Sequence, residues 1–170
     1  AKSGVTGAGR QAKEDYSFGE VDEDVRAYKL LSHQHTPEIG RALGRVAGAP
    51  GDLALTFTAH LLPVKRGILA TCYARPRAGA WTERLEACLR DAYDKSAFVR
   101  VRAPEEVSLK AVVGTNHAVV GVKADREVAI VVCAIDNLVK GAAGQAIQNL
   151  NLQLGLPEAR GLEALQRIAP

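Results

Sequence analysis

The sequence predicts an α+β fold in which a sheet and helices pack as layers. Three observations predict this class. The centre of the chain is rich in short strand-like runs, two segments have apolar residues at helical spacing, and a long helical segment follows them. Hydrophobic residues make up 47% of the 170 residues and charged residues 24%, a composition that can bury a globular core.

The first third of the chain is predicted to contain a loop, a strand and a helix. Residues 1–13 form the loop, because glycines at positions 4, 7 and 9 permit backbone conformations that other residues avoid. Val25–Leu31 follows as a strand. A Thr-Pro-Glu sequence at Thr36 predicts a helix start with the threonine as its cap, and the Gly-Ala-Pro-Gly sequence at 48–51 ends that helix.

The rest of the chain is predicted to supply most of the sheet and two more helices. Thr82 is expected to cap a helix that reaches Tyr93, and residues 124–126 to form a hairpin turn. The pattern becomes helical from Asn137 to Leu154, where Gly155 ends it. Apolar runs predict strands at Leu53–His60, Gly67–Ala74, Phe98–Arg102, Leu109–Val113, Ala118–Lys123 and Glu127–Ile135.

Charge, hydropathy and cysteine content exclude several classes of protein. The net charge is only +3 and no basic block occurs, so nucleic-acid binding is not expected. The longest apolar run, Val128–Ile135, is far shorter than the roughly 20 residues of a membrane helix. The three cysteines are odd in number and widely spaced, which predicts a reducing cytoplasm rather than a disulfide framework.

The sequence also lacks features of a complete nucleotide-binding enzyme. It contains no Met and opens on Ala1 inside a Gly-rich segment, so we expect a fragment or a processed product. No strand runs into a Gly-x-Gly-x-x-Gly turn, so no complete dinucleotide-binding unit is expected. His33 and His35 have no acidic or cysteine partners at ligand spacing, so no metal site is expected.

Four stretches resemble, in order, motifs of one enzyme family. They span most of the chain, and on them the sequence is identified as similar to the N-acetyl-gamma-glutamyl-phosphate reductases, which are related in fold to aspartate-semialdehyde dehydrogenase and glyceraldehyde-phosphate dehydrogenase. The sequence departs from the family's pattern at Gln34, where the family has Arg, and at Ala59, where it has Pro. The stretches are Ala1–Arg10 (AKSGVTGAGR), Tyr28 with His33–Ile39 (HQHTPEI), Phe57–Ile68 (FTAHLLPVKRGI) and Asp136–Ala146 (DNLVKGAAGQA).

This resemblance implies a fold, a reaction and a domain organisation. The fold is a mixed, largely antiparallel sheet with helices on one face, as in the C-terminal domain of glyceraldehyde-phosphate dehydrogenase. The reaction is the NADPH-dependent reduction of an acyl phosphate, in which a Cys thiolate displaces phosphate before hydride transfer. Residues 1–136 are the substrate-binding, catalytic and dimerisation domain. Residues 137–170 return to a nucleotide-binding domain absent from this chain.

The nucleophilic cysteine of the family lies in a Gly-Cys-Tyr-Pro motif that this chain does not contain. Cys72 resembles it only superficially, because it lies within a predicted strand with no Gly before it and no Pro after the tyrosine. The chain alone is therefore expected to be inactive.

The resemblance also implies catalytic residues around the two histidines. His33 is expected to act as the base that takes the thiol proton and later returns a proton, since imidazole titrates near neutral pH. His35 is a substrate-binding residue and the alternative base. Glu38 is expected to orient His33, or else to stabilise the positive end of the helix dipole. Tyr28 lines the substrate site or packs the strand.

Two further groups of residues are implied to bind phosphate and cofactor. Ser3, Gly4, Gly7 and Arg10 are expected to bind the acyl phosphate through hydroxyl, backbone N–H and charge, unless this end is disordered. Asn137 is expected to contact the nicotinamide or to cap a tightly packed helix. The other cofactor-binding residues are Lys140 and Gly141.

Two alternatives to the arginine-pathway reductase remain open from the sequence. One is the lysine-pathway homologue, which acts on a carrier-bound aminoadipyl phosphate. The other is a module that only oligomerises, since sheets of this superfamily pair between subunits. A homodimer or homotetramer is expected in either case.

Overall fold

The sheet has seven strands and is mixed but largely antiparallel. A computed structural model describes residues 1–48 and 53–166. The strands follow the spatial order β2-β3-β1-β4-β7-β6-β5. Among the strands of the described residues, only the β1–β3 and β5–β6 pairs are parallel. The predicted fold class is therefore confirmed. The strands are β1 (Lys2–Gly4), β2 (Arg26–Tyr28), β3 (Ala59–Leu62), β4 (Ile68–Ala74), β5 (Val99–Val101), β6 (Ala118–Ala124) and β7 (Ala129–Ile135).

Four α-helices accompany the sheet in the described residues. They are α1 (Phe18–Val21), α2 (His35–Val46), α3 (Thr82–Tyr93) and α4 (Gly144–Gln153), the last preceded by one π-helical turn, Val139–Ala143. Short 3-10 turns occupy Val5–Ala8, Glu14–Tyr16, Pro104–Glu106 and Glu163–Gln166. Helix α3 packs against β5 and β6. None of the described helices has the length and apolarity needed to cross a membrane.

The core lies on one face of the long central strands. Val119 of β6 pairs with Ala134 of β7, which in turn pairs with Leu69 of β4, so these side chains form a row across the sheet. Val107 and Val112 cover this row from the segment between β5 and β6. This burial of apolar side chains is the main force that holds the segment on the sheet.

The strand predicted at Leu109–Val113 is wrong. The backbone N–H groups of Val112 and Val113 both donate to the carbonyl of Leu109, which is turn geometry. Val112 is fully buried. An apolar run therefore covers the sheet instead of joining it, because burial selects for apolar side chains whatever the backbone conformation.

Other predicted boundaries change near β1, β2 and β3. The loop predicted at residues 1–13 contains a strand, because Lys2–Gly4 pairs with both β3 and β4. The strand predicted at Leu53–His60 begins too early and is too long, since only Ala59–Leu62 pairs with neighbouring strands. The strand predicted at Val25–Leu31 is present but shorter, at Arg26–Tyr28. Gly48 has φ +63°, as expected at a helix end, while residues 49–51 of that signal lie outside the described residues.

The predicted helix caps are wrong, although both helices are present. The N-cap of α2 is Gln34, and Thr36 lies inside the helix. The N-cap of α3 is Trp81, and the hydroxyl of Thr82 instead donates to the Ala124 carbonyl at 2.9 Å and accepts from its N–H at 2.8 Å. Thr82 therefore ties α3 to the end of β6.

The hairpin between β6 and β7 forms as predicted. The carboxylate of Asp125 accepts hydrogen bonds from the backbone N–H groups of Glu127 and Val128, each at 2.8 Å. An aspartate side chain that satisfies the backbone two and three residues later is a common way to close a turn. The two long strands are thereby held in register along their full length.

Helix α4 buries polar residues and exposes apolar ones. Its buried residues are Gly144, Gln148 and Asn151. Leu150 and Leu154 are more than half exposed. A helix that packs only on its own domain normally shows the reverse pattern.

Candidate functional site

His33 lies in the connection between β2 and α2, where the backbone is unusual. Lys29 and Leu31 have φ values of +47° and +57°, a region that residues other than glycine seldom adopt. These two residues belong to a turn just before the histidine, in which the N–H of Ser32 donates to the Lys29 carbonyl. Helix α2 begins two residues after His33. Such conformations persist where the surrounding structure holds them, often at functional sites.

The structure brings two other predicted site residues, Tyr28 and His35, together around His33. The ring of His33 is 8% exposed and lies 5.7 Å from the ring of Tyr28 and 5.0 Å from that of His35. Phe57, which the sequence did not single out for the site, packs edge-on against it at 4.9 Å. A signal for Phe57 existed, since it opens one of the four family-like stretches.

The hydrogen bonding of His33 is local. Its Nδ1 accepts the backbone N–H of His35 at 3.2 Å. Glu38 is exposed, and the structure shows no hydrogen bond between it and His33. Burial lowers the pKa of His33, and the nearby His35 and Lys29 lower it further. These effects all favour the neutral form of the ring over the imidazolium.

His33 lines an open cavity of about 560 Å³ at the start of α2. The hydroxyl of Thr36, on the same wall, is buried and has no hydrogen-bond partner among the described residues. A polar atom in that state is expected to bind a ligand or a water molecule. Other lining residues are Leu31, Gln34, Pro37, Leu53 and Leu55.

The Gly-rich segment that begins at Ser3 is fixed against the turn before β4. The N–H groups of Gly4, Val5 and Thr6 donate to carbonyls of Gly67, Val64 and Lys65, at 2.9–3.2 Å. A Cβ on Gly4 would lie 2.8 Å from the Val64 carbonyl oxygen, so glycine is required there. The predicted phosphate-binding N–H of Gly4 is thus already bonded within the protein.

Arg10 and Gly7 lie beyond this fixed part. A Cβ on Gly7 would meet the Ser3 hydroxyl at 3.0 Å, which places Gly7 and Ser3 side by side. Arg10 is exposed and lines a second open cavity of about 490 Å³ together with Thr6 and Lys13. Arg10 and Lys13 outnumber the one acidic residue of the lining, Glu14, so the cavity suits an anionic ligand.

Asn137 joins the Gly-rich segment to the start of α4. Its Oδ1 accepts the N–H of Gly67 at 2.7 Å, and its Nδ2 donates to the Thr6 hydroxyl at 2.9 Å. Thr6 in turn donates to the Lys65 carbonyl. This side chain is 7% exposed, and one Nδ2 hydrogen remains for a further acceptor.

The sequence did not point to Asp136, although many hydrogen bonds converge on its side chain. It is fully buried and accepts backbone N–H groups from Gly114, Leu138 and Val139 at 2.8–3.0 Å. Arg66 lies 3.4 Å away. Burial raises the pKa of this carboxyl, but the three N–H donors and Arg66 outweigh that effect and hold it below its ordinary value. Its position directly before a helix start was the available signal.

Lys140 and Gly141, predicted to bind cofactor, occupy the π-helical turn before α4. The ammonium of Lys140 donates to Gln148 Oε1 at 2.7 Å and lies 5.5 Å from the centre of the Phe98 ring. Burial lowers the pKa of Lys140, although Glu158 opposes this. Gly141 is exposed, and its N–H donates to the Asp136 carbonyl.

The predicted residues therefore form two clusters. One surrounds His33, and the other links Ser3, Gly7 and Asn137. The side chain of Lys140 instead contacts Gln148 and Phe98. No hydrogen bond joins the two clusters within the described ranges 1–48 and 53–166. Those ranges also contain no group of three or more His, Cys, Asp or Glu side chains that could hold a metal ion.

Comparison with solved structures identifies proteins with a similar fold. It matches aspartate semialdehyde dehydrogenase II from Vibrio cholerae with a TM-score of 0.68 at 15% identity, covering 91% of this chain and 53% of that one. The same enzyme complexed with ASA matches with a TM-score of 0.67. At this identity the likeness concerns the fold alone.

Comparison of sequences identifies closer relatives. The chain is 50% identical over 165 residues to the N-acetyl-gamma-glutamyl-phosphate reductase of Pelotomaculum thermopropionicum, and 50% identical over 167 residues to that of Rhodospirillum rubrum. The alignments cover 95% and 96% of this chain but 47% of each relative, so the chain spans about half the length of the curated relatives it matches. Residues 1–137 match the family model described as semialdehyde dehydrogenase, dimerisation domain. The chain belongs to this semialdehyde dehydrogenase family.

Proposed function

We propose that the chain is the substrate-binding and catalytic half of an NADPH-dependent reductase that converts N-acetyl-gamma-glutamyl phosphate to N-acetylglutamate semialdehyde and phosphate in arginine biosynthesis. The names of relatives at about half identity support this substrate. The observation that carries the catalytic role is the position of the His33 ring, which is buried among aromatic side chains at the wall of an open cavity.

In this proposal the chain's own residues bind and orient the acyl phosphate. Arg10 and Lys13 attract the phosphate at the second cavity. The Ser3 hydroxyl, which lies beside Gly7 and donates to the Gly4 carbonyl at 3.2 Å, would exchange that bond for one to the phosphate. His33 provides the catalytic imidazole, with Tyr28 and His35 beside it. The cysteine that attacks the acyl carbon is supplied by a part of the protein outside these residues.

The start of α4 fits a nicotinamide cofactor. Gly141, Ala142 and Ala143 are exposed and carry little side-chain bulk, so a flat ring can approach the backbone. The remaining Nδ2 hydrogen of Asn137 can donate to an amide oxygen, and Lys140 lies one turn away. NADPH, when bound, supplies the hydride.

We also propose two partners for this chain. The exposed leucines of α4 are expected to pack against a nucleotide-binding domain, since this helix lies outside the residues matched by the family model. The description of that family as a dimerisation domain supports assembly into a homodimer or homotetramer. The free cysteines suit a cytoplasmic location, where thiols stay reduced.

The test uses the full-length protein and follows NADPH oxidation with N-acetyl-gamma-glutamyl phosphate. We expect turnover by the wild type and a loss of about 10²–10⁴-fold in His33→Ala, the usual contribution of a catalytic acid or base. Cofactor affinity should be retained. His35→Ala is the matched comparison, because it removes the neighbouring imidazole and keeps His33.

Two results would contradict the proposal. The first is a wild-type protein that does not oxidise NADPH with this substrate. The second is an unchanged turnover number in His33→Ala. Residues 1–170 alone are expected to show no turnover, because the nucleophilic cysteine of the family has no counterpart in them.

A further inference from the structure

We propose that His33 acts as a neutral hydrogen-bond donor, through Nε2, to the oxygen of the reacting acyl group, and that it is not the acceptor of the thiol proton. This rests on the proposed function, because it assigns a specific role within the same site. It changes the role expected from the sequence, in which His33 is the base.

The hydrogen bond to His35 fixes which nitrogen of His33 carries the proton. A backbone N–H can only donate, so Nδ1 must present a lone pair to it at 3.2 Å. A neutral imidazole has one N–H, which must then be on Nε2. The sequence could not show this, since it depends on the turn between His33 and the start of α2.

The surroundings of the ring favour the neutral form. The groups packed against it are Tyr28, His35 and Phe57, and Lys29 is the nearby cation. No carboxylate in the described part of the chain forms an ion pair or a hydrogen bond with the ring. Protonation would place a charge in a buried site next to Lys29 and would break the bond from His35.

The Nε2–H group is available to a ligand. His33 lines the cavity at the start of α2, and Nε2 has no hydrogen-bond partner in residues 1–48 and 53–166. A neutral imidazole can polarise a carbonyl by such a bond. The donor strengthens its bond as negative charge grows on the acyl oxygen, and no proton leaves the ring, so charge and protons balance.

This arrangement requires another group to take the thiol proton. Nε2 already carries a hydrogen, and Nδ1 is bonded to the His35 amide. The exposed imidazole of His35, with its ring centre 5.0 Å from that of His33, is a neighbouring group that can accept the thiol proton. His33 and His35 thus have different roles, donor and proton acceptor.

The first experiment measures the tautomer directly. Nitrogen NMR of the full-length protein, with ¹⁵N-labelled histidine and the His33 signals assigned by comparison with His33→Gln, should show Nε2 protonated and Nδ1 unprotonated near neutral pH. His35→Ala keeps the backbone N–H and should leave this tautomer unchanged. A protonated Nδ1, or an imidazolium, would overturn the proposal.

The second experiment separates donation from proton acceptance. Glutamine at position 33 can place an amide N–H near the position of Nε2 but cannot accept a proton at neutral pH. If His33 is a donor, we expect the loss of turnover in His33→Ala to fall in the lower part of the range given above, about 10²–10³-fold, and His33→Gln to recover at least about tenfold of that loss. Equal turnover in the two variants would show that the imidazole must accept a proton.

The two proposals can fail separately. A wild-type protein without NADPH oxidation refutes the proposed function, while the tautomer of His33 can still be measured in the same sample. Activity with a protonated Nδ1 refutes the donor role and leaves the proposed function intact.

Discussion

The junction at Asp136 and Asn137 and the pocket around His33 are both polar, but their hydrogen-bonding atoms serve different ends. At the junction, Asp136 accepts three backbone N–H groups and Asn137 bonds both Gly67 and Thr6. In the pocket, His33 uses one ring nitrogen for the fold and keeps the other for the cavity. Polar groups with hydrogen-bond partners inside the protein stabilise the fold. Polar groups without such partners remain available to bind a substrate.

The backbone around each region shows the same contrast. Thr6 and its neighbours are tied to the turn before β4 by consecutive hydrogen bonds. The approach to His33 instead passes through left-handed conformations at Lys29 and Leu31. The junction is therefore expected to govern stability and the pocket to govern turnover.

The largest effect on stability is expected from Asp136→Ala. The substitution leaves three backbone N–H groups and Arg66 without their buried acceptor, and losing one partner of such a network costs about 3–5 kcal/mol. The free energy of unfolding, measured with urea, should fall by this amount.

Asp125→Ala is the matched control for that substitution. Asp125 also accepts backbone N–H groups, from Glu127 and Val128, but it is exposed at the hairpin. Water can replace it there, so a much smaller loss is expected. Similar losses in the two variants would remove the distinction between a buried junction and an ordinary turn.

A smaller loss is expected from Gly144→Ala, next to the junction. The new Cβ would clash with the Oδ1 of buried Asn116 and lie 2.9 Å from the Val139 carbonyl oxygen. Overpacking of this kind costs about 1–3 kcal/mol, which exceeds the gain of up to about 1 kcal/mol from replacing glycine in a helix. Thermal or urea unfolding should show the net decrease.

Gly141→Ala tests whether that loss comes from crowding. Its Cβ would meet the Asp136 carbonyl at 3.4 Å and Ile135 at 3.5 Å, which is ordinary contact. We expect stability to stay the same or rise slightly. If Gly144→Ala and Gly141→Ala have equal free energies of unfolding, close packing at the start of α4 does not contribute to the stability of the junction.

The sequence predicted well the elements that are decided by local pattern. Two apolar runs, together with the turn predicted at residues 124–126, were sufficient for the hairpin of β6 and β7. Helices α2 and α3 were placed within two residues of their observed starts by the sequence signals near Thr36 and Thr82. The caps were assigned wrongly, because a threonine hydroxyl can bond elsewhere, as Thr82 does with Ala124.

Features that depend on distant contacts could not be predicted from the sequence. Lys2–Gly4 is a strand only because β3 and β4 flank it. The apolar run that begins at Leu109 forms a turn, because its buried side chains pack over the sheet. For the site, the family resemblance indicated His33 and Asn137, but the partners of Asn137, Gly67 and Thr6, are 70 and 131 residues away in the sequence, and no local motif encodes them.

Acidification gives the smallest effect and separates the two regions by pH. The pKa of His33 is lowered from its ordinary value of 6.5 and that of Asp136 from 3.8. In both cases the unfolded chain takes up the proton first, so falling pH favours unfolding. Stability contributed by His33 is present above pH 6.5 and is lost below it, while that contributed by Asp136 is lost only below pH 3.8.

Comparing the wild type with His33→Gln over a pH series isolates the pocket, because all other titrating groups are shared. Above the ordinary pKa of 6.5 the difference in free energy of unfolding should be constant. Below it the wild type should lose stability relative to the variant, since only the wild type has a neutral His33 to protonate. A difference that does not change, or that moves in favour of the wild type on acidification, would mean that His33 is not held neutral. The donor role of its Nε2 would then lose its basis.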